Sequence, residues 1–278
     1  MISLNLSRFA IGSYHYMRYP FLYFLDTAAR LGFEYVELWA AAPHLDLDTM
    51  VFSALCECER ELSARKLKPV CITPEQCTYP INIAAEEEPL RRRSIQYFKK
   101  GIDMAAALHA PHVLVTAGCG YFNRPAEEAW KRSVDSVCQI ADYAGRNHIK
   151  LLYETLTPLS SNIVNTPGQL ARMLGELPEN VSGILDIGQM SFMKQDLEDH
   201  IALLGKRLAH VHLHDSGPAI HMALGDGVLP IKDYIVRLEQ SGYTGFYSFE
   251  CNDLRYRKDP HAADEQNLSW LRTHRILA

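Results

Sequence analysis

Eight short apolar runs alternate with segments of helical length along this chain, and a chain so patterned has few folds open to it. The runs fall at residues 8–12, 35–39, 69–73, 112–117, 150–154, 182–186, 208–212 and 246–250. Residues 19–31, 47–65, 86–108, 127–147, 167–177, 197–207, 230–241 and 261–277 read as helices between and after them. Gly32 is a natural helix stop, and Pro230 suits a helix's first position. Apolar runs joined by helical crossovers imply parallel strands buried on both faces. Two phrases echo each other, GFEYVE from Gly32 and GYTGFYSFE from Gly242, as repeated β/α units would.

The 278 residues have room for one large α/β barrel or two smaller domains. Because no Pro/Ser-rich linker interrupts the alternation, a single (β/α)8 TIM barrel over residues 1–278 is expected. A doubly wound sheet is the main competitor. It would usually carry a Gly-rich phosphate turn after an early strand, and neither G-x-G-x-x-G nor a Walker motif is found. Hydrophobic content of 47% and charged content of 22% supply an ample core.

The net charge of −5 with scattered basic residues argues against an extended nucleic-acid surface. The charge runs Glu86-Glu87-Glu88 and Arg91-Arg92-Arg93 read as the acidic start and solvated face of one helix. Seven cysteines, at 56, 58, 71, 77, 119, 138 and 251, form no paired framework. The N-terminal residues lack the apolar core and cleavage site of a signal peptide. No apolar run approaches the roughly 20 residues of a bilayer span. The expected setting is the cytoplasm, with neither membrane nor nucleic acid as partner.

Four consecutive strand ends carry metal-binding residue types: Glu154, Asp186, the pair His210 and His212, and Glu250. Taken singly, each has an ordinary explanation as a helix cap, a turn or a core polar group, and Asp186 before Ile187-Gly188 could simply hold a turn. Together they would meet at the C-terminal face of a barrel, where catalytic groups collect. Three converging carboxylates repel one another in a low dielectric, and no neutralising Lys or Arg is evident beside them. A divalent cation resolves that repulsion, and oxygen-rich ligation with one imidazole suits Mn²⁺, Mg²⁺ or Co²⁺ better than structural zinc. His210 and His212 share strand parity, so the pattern leaves the choice between them open. Strands five and eight lie across the mouth, placing Glu154 opposite Glu250. Two facing carboxylates can take a proton from one side of a carbon and return it from the other. Glu37 points into the barrel, where an unpaired charge is costly, so a polar partner is expected.

At these positions the chain resembles the sugar isomerase/epimerase family of xylose isomerase-like barrels, and within it the fructoselysine and ketose (tagatose and psicose) 3-epimerases. The resemblance runs from Gly32-Phe33-Glu34-Tyr35-Val36-Glu37 to Phe249-Glu250. It includes Thr73-Pro74-Glu75, Glu154-Thr155-Leu156-Thr157-Pro158, Asp186-Ile187, His210-Val211-His212 and Gly225-Asp226-Gly227. It implies metal ligands at Glu154, Asp186, His212 and Glu250, so that His212 is chosen over His210, and proton transfer by Glu154 and Glu250. The implied cofactor is Mn²⁺, with Co²⁺, Mg²⁺ or Zn²⁺ as alternatives. The implied reaction is inversion at C-3 of a ketose or ketosamine through an enediolate.

The chain departs from the ketose 3-epimerase pattern at Ser160 (acidic there), Gln189 (His there) and His221 (Arg there), three expected substrate contacts. His15, Trp39 and Tyr121 join them as mouth residues, alongside Glu75, Tyr79 and Gly120. The expected partner is a small sugar, and the expected assembly a homo-oligomer, dimer or tetramer. Three rivals remain at this point: an aldose–ketose isomerase, an apurinic endonuclease-like enzyme, and a non-catalytic sugar-binding barrel.

Overall fold

The computed structural model describes residues 3–278. Eight parallel strands close into a barrel in chain order. They are β1 Phe9–Gly12, β2 Tyr35–Ala40, β3 Lys68–Pro74, β4 His112–Thr116, β5 Lys150–Glu154, β6 Val181–Asp186, β7 Leu208–Leu213 and β8 Phe246–Phe249. The helices are α1 Phe21–Arg30, α2 Phe52–Ala64, α3 Glu88–Ala107, α4 Ala126–Arg146, α5 Pro167–Glu176, α6 Ile187–Phe192, α7 Leu197–Leu204, α8 Ile231–Gln240 and α9 Pro260–Thr273. The expected (β/α)8 barrel is the observed one. None of the described helices is long and apolar enough to cross a membrane.

Strand parity sorts each side chain into one of two cores. On β5, Leu151 and Tyr153 join the layer between barrel and helices, while Leu152 joins the barrel interior. There it meets Ala10, Val70, Cys71, Leu114 and Ile184, a small apolar floor. The layer outside is far larger and includes Phe24, Ile102, Ile140 and Leu170, all fully buried. Each such side chain contributes about 1.5–3 kcal/mol on burial. One step above the floor, the same parity carries Glu154, Asp186 and His212 to the mouth, two residues after Leu152, Ile184 and His210.

Local chemistry sets the helix ends. Thr166 and Gln169 form a reciprocal capping box at α5, with Pro167 in its first turn. The helix expected over 47–65 begins only at Phe52, because Asp46 ties residues 46–49 into a turn. Its carboxylate accepts from the Asp48 N–H at 3.2 Å and the Thr49 hydroxyl at 2.8 Å. The helix expected to reach 277 stops at Thr273, and Leu277 instead bridges Leu4 in parallel. Sequence periodicity gave no sign of α6, a short helix that starts directly on Asp186.

The ring is not uniform. β4 and β5 share five register pairs, whereas β3 and β4 share one, Ile72 with Val113. Side chains span that seam. His112 Nδ1 lies 3.0 Å from the Val70 carbonyl, and Gln76 Oε1 accepts from the Thr116 N–H at 3.1 Å and its hydroxyl at 2.9 Å.

Candidate active site

Glu154, Asp186, His212 and Glu250 meet at the C-terminal mouth, each offering a donor atom within 4.8 Å of the others. His212 is the hub. Its Nδ1 lies 2.8 Å from Glu154 Oε1, 2.8 Å from Glu250 Oε2 and 4.0 Å from Asp186 Oδ2. β8 ends at Phe249, so Glu250 is the first residue past the strand.

Glu37 holds the hub from beneath. This buried carboxylate accepts from Tyr14 Oη at 2.7 Å, Thr73 Oγ1 at 2.6 Å, His210 Nε2 at 2.9 Å and His212 Nε2 at 3.0 Å. Four donors answer the cost of burying the charge, as the sequence demanded of Glu37. Burial alone would raise Glu37, but His212 and His210 outweigh it and hold the carboxyl well below the usual range. Burial would lower His212, but Glu37, Glu250 and Glu154 outweigh it and hold the imidazole well above its usual value. With Nε2–H committed to Glu37, a cation displacing the Nδ1 proton would meet the Nδ1 lone pair at the mouth. His210 makes its contact with Glu37 inside the barrel, a structural neighbour of the hub.

Asp186 has two tasks. Its Oδ1 accepts from the Gln189 N–H at 2.6 Å, capping α6, and from His214 Nε2 at 3.1 Å. Asp186 thus holds the turn into α6 while lying within the carboxylate cluster. Burial would raise Asp186, but His214, His221 and His212 more than offset it and the carboxyl sits below its ordinary value. His214 is the residue that sequence reasoning missed. Its signal was present, since 210, 212 and 214 form a period-two histidine run that continues one residue past β7. Gly188 makes room for it: a Cβ there would meet His214 Cε1 at 1.9 Å.

His221 leans over the cluster with Nε2 3.9 Å from Asp186 Oδ2 and 3.7 Å from Glu250 Oε1. Its φ of 60° is uncommon for a residue with a side chain. Backbone bonds keep it there: its N–H donates to His214 Nδ1 at 3.0 Å, and its carbonyl accepts from the Asn252 N–H at 3.0 Å. Burial, chiefly, brings His221 down to about 3, so it is a neutral imidazole.

The donor set fits a divalent cation. Glu250 Oε2, Gln189 Oε1 and His221 Nε2 are buried without a hydrogen-bond partner. Orphaned acceptors beside clustered carboxylates are costly unless a positive charge answers them. Burial, with the Asp186 and Glu154 charges, pushes Glu250 up to about 7 despite His212; Glu154 is likewise raised, mainly by burial. His214 and His221 form a second grouping with Asp186 and Glu250. His214 spends both nitrogens on protein contacts and therefore orients Asp186 instead of offering a free lone pair.

The other sequence-selected residues differ in their surroundings. Gln189 stands on α6 with its Oε1 among the orphaned acceptors. Trp39 donates its indole N–H to Glu75 Oε2 at 3.0 Å, and its ring lies 5.5 Å from that of Tyr14. His15 turns Nε2 to buried Asp264 at 3.1 Å. Ser160 is exposed and borders a cavity over β3 to β5. Tyr121 is 52% exposed and donates its hydroxyl to Glu87 at the head of α3, so it makes no contact with the carboxylate cluster.

Relatives agree with this geometry in fold. Fructoselysine 3-epimerase of Shigella flexneri is 25% identical over 260 residues, covering 92% of this chain and 94% of that protein. D-psicose 3-epimerase of Agrobacterium fabrum is 23% identical over 229 residues, covering 80% and 76%. A crystal structure of D-psicose 3-epimerase, in the presence of D-fructose, superposes with a TM-score of 0.82 at 19% identity, covering 96% of this chain and 99% of that one. The family model described as xylose isomerase-like TIM barrel matches residues 25–274, nearly the whole length. The chain belongs to the xylose isomerase-like TIM barrel family.

Proposed function

We propose that this protein is a divalent-metal-dependent sugar epimerase that inverts C-3 of a ketose or ketosamine, with Glu154 and Glu250 as the proton-transfer pair. One observation carries the reading: two carboxylates, from the ends of β5 and β8, approach the same nitrogen of His212, each at 2.8 Å. Relatives named fructoselysine, L-ribulose-5-phosphate and D-psicose 3-epimerase support the reaction class.

Glu154, Asp186, His212 and Glu250 would hold the cation, Mn²⁺ by preference. When bound, it supplies positive charge beside the substrate's oxygens. A ketose lying between Glu154 and Glu250 exposes one face of C-3 to each. One carboxylate takes the C-3 proton, the C–H electron pair passes into the C-2/C-3 double bond, and the carbonyl oxygen gains the negative charge. The other carboxylic acid then delivers a proton to the opposite face, restoring the carbonyl with inverted C-3. His221 and Gln189 would contact the sugar's hydroxyls, while Glu37 and His210 hold His212 in orientation.

The test is incubation of the Mn²⁺-loaded protein in D₂O with fructoselysine, psicose, tagatose and fructose, locating deuterium by NMR. Label at C-3 with an inverted product is expected. Label at C-1 or C-2 would mark an aldose–ketose isomerase, and no exchange across a broad panel would overturn the epimerase reading.

A further inference from the structure

Three depressions ring the mouth, and they differ in chemistry. The largest, about 710 Å³, lies over the loops that follow β5 to β8. Its rim carries Leu159, Val228, Leu254 and Phe192, which are 84%, 81%, 65% and 53% exposed. Among the described residues, these are four of the eleven exposed large hydrophobic side chains. Single exposed apolar residues are ordinary, but four around one concavity mark a surface made to be covered.

The concavity adjoins the reaction centre at His221. His221 lines it while directing its orphaned Nε2 toward Asp186 and Glu250. Among the described residues no Lys or Arg lines it, and its one carboxylate, Asp253, is engaged by the N–H and Nε of Arg255 at 2.8 and 3.1 Å. A phosphate placed here would be desolvated without a cation to receive it. The depression over β8, β1 and β2, about 480 Å³, contrasts with it in holding Arg18 and Arg257.

We propose that the apolar cavity receives a ring-sized nonpolar group attached to the sugar, so that the substrate is a ketose conjugate and not a free or phosphorylated ketose. This rests on the epimerase reading above. The sugar's reacting carbons sit at the carboxylate cluster, and the appended group extends past His221 between Phe192 and Val228. Covering these side chains excludes water from both partners, favouring the conjugate by about tenfold to a hundredfold in kcat/KM.

The experiment compares C-3 deuterium exchange on 1-deoxy-1-benzylamino-fructose, 1-deoxy-1-methylamino-fructose, fructose and fructose 6-phosphate. The methylamino sugar separates apolar contact from the amine's charge. The benzyl conjugate is expected to lead, and Phe192→Ser and Val228→Ser are each expected to lower the benzyl-to-methyl ratio severalfold. Equal rates on benzyl and methyl sugars, or preference for the phosphate, would overturn this inference while leaving the epimerase reading standing. Absence of exchange on every sugar would overturn both. Sedimentation of the same variants tests for a second copy as occupant: a wild-type dimer that Phe192→Ser splits, with the substrate ratio intact, would also overturn the inference.

Discussion

The two halves of the barrel share a fold and divide the work. β5 to β8 and the residues just past them carry Glu154, Asp186, His212 and Glu250, with His214 and His221 beside them. β1 to β3 and their loops contribute Tyr14, Glu37 and Thr73, whose bonds to one another and to His212 end beneath the cluster. One half presents donor atoms to the mouth, and the other fixes the orientation of the histidine on which those donors converge. Substitutions in the first group should therefore act on chemistry, and those in the second on how well the site is held.

The sharpest test removes a proton-transfer carboxyl. Glu154→Gln and Glu250→Gln are each expected to reduce C-3 exchange by about a thousandfold or more, with circular dichroism unchanged. If either variant kept substantial exchange, the division would fail at its centre. Chelation followed by dialysis should abolish exchange, and added Mn²⁺ should restore it.

A smaller effect is expected beneath the hub. Glu37→Gln keeps the shape but loses the charge that four donors address, and metal affinity by titration should fall about 10- to 100-fold. An unchanged affinity would mean that the first half is scaffold and nothing more. His210→Asn should lower exchange less than His212→Asn does. Equal losses would show that the two histidines were assigned the wrong way round.

The smallest effect lies far from the chemistry. Burial brings His112 down to about 4, so the folded protein keeps it neutral while the unfolded chain takes up a proton below about 6.5. Its contribution is complete above pH 6.5 and is lost as pH falls from 6.5 to 4, by up to about 3 kcal/mol. Denaturant midpoints measured across that window should fall less steeply for His112→Gln than for the unaltered protein.

Much of this was legible because strand parity is a strict rule. Lys150–Glu154 matches β5 residue for residue. Any residue two positions beyond an interior apolar one must face the mouth, so Glu154 and Asp186 could be placed without coordinates. Glu37's need for partners could be stated, but not that Tyr14, Thr73, His210 and His212 would meet it, since those contacts join strands far apart in sequence. Short-range exceptions were harder. Six residues are too few for α6 to establish a helical period, and one carboxylate cap decides its start. His214 escaped because the run of histidines was read as a pair. Tyr121 was drawn into the mouth by its place after a strand, whereas loop geometry turns its hydroxyl to Glu87.

The seam between β3 and β4 has a consequence for motion. A closed ring has no edge to fray, so its first opening is governed by its thinnest join and not by its average one. Here a single register pair, Ile72 with Val113, is flanked by His112 and Gln76 reaching across. Amide protons along this seam should be the first in the barrel wall to trade with solvent, before those between β6 and β7. The wall can then breathe on one side while Asp186 and His212, neighbours in register across the other, stay in place.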